Sequence, residues 1–363
     1  MIGCDDHPGP EAAWRPRILD PHDPDDVRTL AALVADPATR VVDSTATRSA
    51  GRTATRSAGR VVSRAPGQEP IRWIYYAWSR TLVCTWPPGR FREIRLSRNR
   101  DKITAAEQDR LGRATIAVVG LSVGRQIVRT LAMEGIGGRF RLADPDILTL
   151  SNLNRLPAGI PDLGVPKTTL AARDLLELDP YLDIQLFPEG VDGRSSQHSL
   201  DAFLAPGGDV PDLVIEECDD FAVKVAIRRR ARQLGIPVIM ESSIRGTLDI
   251  ERFDLQPDRP LLHGLLEEFD PGQCDSLEAK KALIGHLLPH MSDRTRGSIE
   301  RVGIELDSWP QLASDVALGA ALVAVACRKI LLGRPLASGR YILDLDASLD
   351  RGPNPVRSST NAR

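Results

Sequence analysis

Residues 114–124 read Ala-Thr-Ile-Ala-Val-Val-Gly-Leu-Ser-Val-Gly, and the prediction of the fold rests on them. Ala114–Val119 is a continuous apolar run rich in β-branched residues, which is typical of a strand buried on both faces. Gly120-Leu121-Ser122-Val123-Gly124 follows as a turn of small residues and leads into a helical pattern at Arg125–Glu134. Such a turn lets a phosphate group approach the exposed N–H groups at the start of the helix. The stretch therefore predicts the first strand, loop and helix of a nucleotide-binding sheet.

The chain after this stretch continues to alternate between short apolar strands and amphipathic helices. The further strands are predicted at Arg139–Ala143, Asp183–Phe187, Leu213–Ile215 and Pro237–Met240, with helices at Lys167–Leu178 and Phe221–Leu234. Apolar strands separated by helices indicate a mostly parallel sheet covered on both faces. The predicted fold class is therefore α/β and Rossmann-like, with an N-terminal extension.

The N-terminal third of the chain differs in composition from the rest. Residues 1–44 carry 4 basic and 9 acidic side chains, whereas residues 45–100 carry 12 basic and 2 acidic ones. The eight residues Thr-Ala-Thr-Arg-Ser-Ala-Gly-Arg occur twice in tandem at 45–60, and units so small and polar cannot bury a core. We therefore expect an acidic region at 1–44 and a low-complexity basic linker at 45–68.

The remaining boundaries follow from strand and helix signals. A small hairpin-like segment is expected at 69–97, because residues 71–86 alternate and contain three tryptophans. Thr104-Ala-Ala-Glu107 is a capping box that predicts a helix to about Leu111. The main domain is expected over 98–345, followed by a flexible tail at 346–363.

Composition excludes several classes of protein. The chain has 363 residues with a formal net charge of −2, so the whole chain is not a basic nucleic-acid-binding protein. Its five cysteines include no C-x-x-C pair, which fits a reducing compartment and excludes a disulfide scaffold or a Cys₄ zinc site. The N-terminus lacks the pattern of a signal peptide, and the longest apolar run, Val316–Cys327, is too short to span a bilayer. We expect a cytoplasmic protein with no membrane partner and read Val316–Cys327 as a buried helix.

Polar residues cluster where the predicted strands end. Asp144 and Asp146 follow the second strand, in a position where an acid can hold a nucleotide ribose. Asn152, Arg155 and Lys167 come next, and the positive charge of the arginine and the lysine suits the cleavage of a triphosphate. The later strand at 213–215 ends in further carboxylates, among them Asp219, that suit Mg²⁺.

The pattern D-x-D-x₅-N-x₂-R-x₁₁-K, followed by a strand-end Asp, resembles the ThiF/MoeB/HesA group, the bacterial relatives of ubiquitin-activating enzymes. The resemblance covers roughly residues 98–345. The N-terminal extension is similar, more narrowly, to actinobacterial ThiF-type proteins that in longer forms carry a nitroreductase domain. The resemblance implies a ThiF-type fold, a homodimer, and an adenylyltransferase that uses ATP and Mg²⁺. Its substrate would be a carboxylate, such as the C-terminus of a ubiquitin-like or sulfur-carrier protein.

Residue roles carried over from the family remain implications of the resemblance. They are Gly120, Ser122 and Gly124 for the nucleotide loop, Asp144 for the ribose, Asp146 and Asn152 for the phosphate end, Arg155 and Lys167 for the triphosphate, Asp219 for Mg²⁺, and Arg98 or Arg100 as an arginine that reaches across the dimer.

The chain departs from the family pattern around the loop and the Mg²⁺ residue. Ser122 stands where the family usually has the middle glycine, Asp220 replaces the usual Asn, and Lys224 replaces an Arg. The zinc-binding C-x-x-C pairs are missing: residues 260–264 occupy the position of the first pair, so no zinc is expected.

The family's thioester-forming cysteine is also missing from its position near residues 301–307. Cys274 is the only cysteine of the crossover region, where it is expected to be incidental, and Cys218 is expected to be a packing residue. Adenylation is therefore better supported than sulfur transfer.

Gly120-Leu121-Ser122-Val123-Gly124 also spells the nucleophile motif of α/β-hydrolases, but no earlier strand of the main domain could supply an oxyanion hole, which disfavours a hydrolase. Three alternatives to the adenylyltransferase interpretation stay open. An NAD(P)-dependent oxidoreductase is disfavoured by the missing middle glycine and the Arg/Lys cluster. A cyclising enzyme like tRNA threonylcarbamoyladenosine dehydratase would give the basic segment a tRNA partner. The last alternative is a non-catalytic ATP-binding module.

Overall fold

The computed structural model describes residues 10–45, 70–193, 197–269 and 276–352. Apart from Thr45, the predicted linker at 45–68 lies outside the described residues, as does Cys274.

The N-terminal extension forms a four-stranded sheet of its own. Its strands in chain order are β1 Arg17–Leu19, β2 Arg40–Asp43, β3 Arg72–Tyr76 and β4 Thr81–Thr85. They lie in the order β1-β3-β4-β2, and β3 and β4 pair antiparallel as a hairpin. The strands that flank this hairpin come from the acidic region before the linker, so the two segments form one unit.

Two helices belong to the extension, and a third opens the main domain. The first helix, α1 (Pro24–Ala35), begins at the Asp23 cap, whose side chain accepts from two backbone N–H groups. The second helix, α2 (Pro88–Arg95), starts at the prolines that follow the hairpin, because proline fits the first helical position. The third helix, α3 (Ala105–Leu111), has the predicted capping box between Thr104 and Glu107.

The main domain is built on a mostly parallel seven-stranded sheet. Its strands are β5 Thr115–Val119, β6 Arg139–Ala143, β7 Asp183–Phe187, β8 Leu213–Glu216, β9 Val238–Glu241, β10 Thr247–Glu251 and β11 Gly339–Ile342. They lie in the order β11-β10-β9-β8-β5-β6-β7. The strands from β9 to β7 in this order pair in parallel, whereas β10 pairs antiparallel with both β9 and β11. The predicted fold class is confirmed.

Eight further helices accompany this sheet in the described part of the chain. They are α4 Val123–Glu134, α5 Lys167–Leu178, α6 Gln197–Leu204, α7 Phe221–Leu234, α8 Leu277–Leu287, α9 Asp293–Arg301, α10 Ala313–Leu331 and α11 Leu345–Asp350. One apolar core lies between the sheet and α4, α5 and α10, and a second lies between the opposite face and α6 to α9. Burial of these apolar side chains on both faces holds the sheet between two helical layers.

Two sequence expectations concern the C-terminal part. The apolar run Val316–Cys327 lies within α10, where Val323 and Cys327 are fully buried. Residue 346, where a flexible tail was expected to begin, lies within α11. The Asp344 side chain caps this helix by accepting from Ala347 N. No helix among the described residues is both long enough and apolar enough to cross a bilayer.

The connections between strands determine where a site can form. From β5 the chain moves outward to β6 and β7, and then returns to place β8 on the other side of β5. The strand order therefore reverses between β5 and β8. In open α/β sheets, the crevice at the carboxyl ends of such strands is the usual ligand site.

Candidate functional site

Gly120 stands at the reversal point, where the ends of β5 and β8 approach each other. Its φ is +87°, and a Cβ there would lie 2.5 Å from the backbone carbonyl of Glu217. Any other residue would therefore be strained and would collide with the chain that leaves β8. Gly120 makes the close approach of the two strand ends possible.

Asp144 braces the loop that follows Gly120. Its carboxylate accepts from Leu121 N at 2.6 Å and from Asp146 N at 2.8 Å, and the residue is only 5% exposed. Burial raises the pKa of this carboxyl, while the positive charge of Lys167 opposes the shift. The carboxylate thus already organises the backbone of the loop, and its contact with a ribose stays a prediction.

Lys167 joins two of the predicted site residues across the edge of the sheet. It is the first residue of α5, and its Nζ donates to Asp146 Oδ2 at 2.7 Å and to Ser122 Oγ at 3.1 Å. Ser122 therefore orients the lysine and does not cap α4 with its side chain. Gly124, in the first turn of α4, serves packing, because a Cβ there would lie 3.0 Å from Val118 on β5.

Arg155 lies on a turn that Asn152 organises. The Asn152 side chain accepts from Thr149 N at 3.0 Å, and its carbonyl accepts from Arg155 N at 3.1 Å. The guanidinium of Arg155 donates through one terminal nitrogen to Ser151 O and Asn154 Oδ1. Its Nε is buried and has no hydrogen-bond partner among the described residues. The Nε atoms of Arg95 and Arg259 also lack a partner among the described residues, so the binding role of Arg155 rests on its position near Asp219.

Asp219 is exposed and follows the end of β8. Its negative charge acts on the guanidinium of Arg155. Burial lowers the pKa of the Arg155 guanidinium, and the negative charge of Asp219 opposes that shift. The next residue, Asp220, caps α7 by accepting from Ala222 N at 2.7 Å. Aspartate at this position does the capping work of the family's asparagine, since both residue types are good N-caps.

A buried ion-pair network supports the loop that carries Asp219. Glu216 accepts from Lys224 Nζ at 2.9 Å, from Arg228 at 2.5 Å and from Cys218 N at 3.0 Å. Arg228 is fully buried and also donates to Glu251 at 2.7 Å. Burial alone would raise the pKa of Glu216, but Lys224 and Arg228 outweigh it and lower the pKa to about 2. Lys224, which replaces the family's arginine, is therefore held as the partner of Glu216.

The Cys218 thiol belongs to the same network. The residue is partly buried and packs against the second apolar core, as expected from sequence, and its Sγ also donates to Glu216 Oε1 at 3.0 Å. Burial and the Glu216 carboxylate raise the pKa of this thiol well above its ordinary value. The thiol stays protonated at neutral pH and is a poor nucleophile.

Arg98 and Arg100 do not join this cluster within the chain. Arg100 pairs with Glu93 at 3.7 Å and lines a groove with Gly112 and Gly137, which precede β5 and β6. That groove lies at the amino ends of the strands, and a five-residue strand spans roughly 16 Å. The two arginines therefore lie at the edge of the sheet opposite the other predicted site residues.

A pair of glutamates was missed in the sequence. Glu217 accepts from the backbone N–H of Glu241 at 2.9 Å, and Glu241 is 4% exposed and accepts from Ser243 N at 2.7 Å. Burial raises the pKa of Glu241 to about 7, and burial together with Glu241 raises that of Glu217 well above its ordinary value. The signal in the sequence was that each glutamate lies at or just after the end of a strand. That β8 and β9 are neighbours in the sheet cannot be deduced from either strand alone.

Replacing Glu241 by glutamine should stabilise the fold at high pH. Folding raises the pKa of the Glu241 carboxyl from 4.5 to about 7, so the folded protein favours the protonated form. The stability that this contributes is fully present below pH 4.5 and is lost as the pH rises through 7. We expect E241Q to raise the free energy of unfolding at pH 8 by about 2–3 kcal/mol and by much less at pH 5. Urea denaturation at both pH values measures this, with the exposed Glu278→Gln as control. An equal difference at both pH values would contradict the shifted pKa.

The arrangement fits a nucleoside triphosphate with one metal ion. Within the described ranges, no group of three or more His, Cys, Asp or Glu side chains is placed to hold a metal. Mg²⁺, however, is usually held in such sites by one or two carboxylates together with substrate phosphates. Asp219 can supply that carboxylate, while Arg155 and Lys167 supply positive charge.

Comparison with known proteins identifies relatives of this chain. The chain is 43% identical over 347 residues to an uncharacterized protein of Mycobacterium tuberculosis, covering 94% of this chain and 47% of that one. It is 30% identical over 162 residues to the sulfur carrier protein adenylyltransferase of Thermus thermophilus, covering 43% and 54% of the two chains. The chain thus spans about half the length of these relatives.

One solved structure supports the fold, and a family profile identifies the family. The solved structure of PaaA superposes with a TM-score of 0.51 at 22% sequence identity, covering 70% of this chain and 79% of that one, which supports the fold. The ThiF family profile matches residues 96–355, which is more than half of the chain and includes every element that carries the cluster at the strand ends. On that match, this chain is a member of the ThiF family.

Proposed function

We propose that this protein is an ATP-dependent adenylyltransferase that activates a carboxylate. The acceptor carboxylate attacks the α-phosphorus of ATP, forming a carboxyl–phosphate anhydride while the bond to pyrophosphate breaks. The observation that carries the proposal is the half-buried Arg155 guanidinium under the influence of the Asp219 charge at the reversal point of the sheet. The acceptor would be a carboxylate such as the C-terminus of a small carrier protein.

The side chains divide the work of this reaction. The charge that develops on the leaving pyrophosphate needs preorganised positive groups, and Arg155 and Lys167 supply them from fixed positions. Asp146 and Ser122 hold the Lys167 ammonium in place. Mg²⁺ held by Asp219 would add charge neutralisation when bound. The acceptor carboxylate is already ionised at neutral pH, so the reaction requires no general base.

Calorimetric titration with Mg·ATP and, separately, NADH tests this proposal. We expect wild type to bind Mg·ATP and not NADH, and Arg155→Ala to bind ATP at least about tenfold more weakly. Arg139→Ala is the matched control, because Arg139 is an exposed arginine at the amino end of β6 that pairs with Asp209 at 3.1 Å. Binding of NADH in place of ATP would favour an oxidoreductase instead.

Glu216 should set the Mg²⁺ dependence of ATP binding through the Asp219 loop. Glu216→Gln removes the charge that holds Cys218 N and Lys224, and we expect the Mg²⁺ concentration for half-maximal ATP binding to rise about tenfold. Glu251→Gln removes a charge from the distant end of the same network and should leave that concentration unchanged. ATP binding titrated against Mg²⁺ compares the two variants. Equal shifts in both would mean that the network only stabilises the fold.

We further propose that the protein acts as a homodimer. Arg98 and Arg100 lie at the amino edge of the sheet, so only a second copy could bring either of them to the triphosphate.

A further inference from the structure

A cavity of about 200 Å³ opens beside Asp219 and is also lined by Val123 of the predicted nucleotide loop. Its far wall is apolar and comes from α8, α9 and the segment before α10, including Ile284, Ile299 and Trp309. The turn of Arg155 reaches the same wall, because Asn154 Nδ2 donates to the carbonyl of Gln311, another lining residue, at 2.8 Å. Pockets for drug-sized ligands measure roughly 300–1,000 Å³, so this cavity fits a single amino-acid side chain.

The near wall of the cavity carries the Glu217–Glu241 pair. Lys224 also lines it, but its Nζ is already paired with Glu216 at 2.9 Å and 3.1 Å. Lys280 lines the cavity from α8 and is half-buried. Among the described residues, neither Glu217 nor Glu241 forms an ion pair, and Lys224 is committed to Glu216, so the pair has no positive partner in direct contact.

One further polar atom in the wall lacks a partner. The Oγ of Ser242 is buried and has no hydrogen-bond partner among the described residues, and Ser242 lines the cavity next to Glu241. Two acids and an unpartnered hydroxyl in an apolar cavity favour a ligand group that donates hydrogen bonds and carries positive charge.

The chemistry of the proposed reaction has no use for these acids. Adenylation of an ionised carboxylate requires no proton abstraction, so the reaction gives these two acids no role. An acceptor that brings a positive charge next to its carboxylate would favour the ionised form of the pair and be attracted to it. The cavity is continuous with Asp219, where the acceptor must arrive.

We propose that the cavity binds a protonated amine carried by the acceptor next to the carboxylate that is activated, with Glu217 and Glu241 as its acceptors. The inference rests on the proposed adenylation and deepens it by naming the acceptor as an amine-bearing carboxylate that fills the cavity with one side chain.

The test compares n-butylamine with n-butanol, which has nearly the same shape and no charge. Each is titrated into the full-length protein by calorimetry and by tryptophan fluorescence, with Trp309→Phe locating the signal in the cavity. We expect the protonated amine to bind at least about tenfold more tightly than the alcohol, because charge-assisted hydrogen bonds are the stronger ones. The double variant E217Q/E241Q should abolish that preference and leave alcohol binding unchanged.

Three results would overturn the proposal: equal binding of both probes, binding of neither, or a preference for the amine that persists in the double variant. If the double variant does not fold, E217Q alone serves, because Glu217 is partly exposed and should tolerate glutamine. Failure of wild type to bind Mg·ATP would instead overturn the proposed function, whatever the two probes show.

Discussion

Arg155→Ala is expected to lower the turnover of adenylation by roughly 10²–10³-fold, or about 2.7–4 kcal/mol, the scale for losing one preorganised contact to developing charge. The guanidinium has one terminal nitrogen fixed by Ser151 O and Asn154 Oδ1, while its buried Nε has no partner among the described residues. Its position is therefore set before the substrate arrives. Lysine at position 155 should recover only part of the loss, since an ammonium is a point charge without the planar fork.

The rate of pyrophosphate release from ATP measures this effect. Where no acceptor carboxylate is supplied, slow attack by water on the same α-phosphorus gives AMP and pyrophosphate and reports on the same groups. Arg139→Ala, at the opposite edge of the sheet, should retain the wild-type rate. A rate for Arg155→Ala within about threefold of wild type would contradict the role assigned to this arginine.

Arg228→Met is expected to lower the free energy of unfolding by about 3–5 kcal/mol, the usual loss when one partner of a buried ion pair is removed. Arg228 is fully buried between Glu216 and Glu251, which it contacts at 2.5 Å and 2.7 Å. Lys224 still neutralises Glu216 in this variant. The loss therefore falls mainly on Glu251, which would remain charged inside the protein.

Urea denaturation of the single variant and of R228M/E251Q separates charge from packing. If the unpaired Glu251 carboxylate causes the loss, the double variant should regain a large part of the stability, because a neutral side chain needs no counter-charge. Glu251 also accepts from Leu262 N at 2.6 Å, and glutamine can keep this contact through its carbonyl oxygen. If the double variant is no more stable than R228M, the loss comes from the missing contacts of the arginine itself and not from the unpaired Glu251.

The order of the helices and strands in the main domain could be predicted from the sequence because the signals are local. The helices at Lys167–Leu178 and Phe221–Leu234 have the predicted bounds, and the capping box at Thr104 begins α3 as expected. The continuous apolar run before Gly120 correctly indicated a strand buried on both faces. Helix α2 was missed because Pro87-Pro88-Gly89 favours a turn as strongly as a helix start.

By itself, the sequence determined the α/β class, the glycine turn at the start of α4, and the family pattern from Asp144 to Lys167, because each depends on neighbouring residues. Only the tertiary structure decided what the individual carboxylates do. Asp144 braces a loop, Glu216 carries full charge within a network, and Glu241 has a pKa of about 7. The difference lies in burial and in partners from distant strands: the cost of burying a carboxylate is offset only where a cation lies within a few ångströms, and strand pairing decides which cation that is.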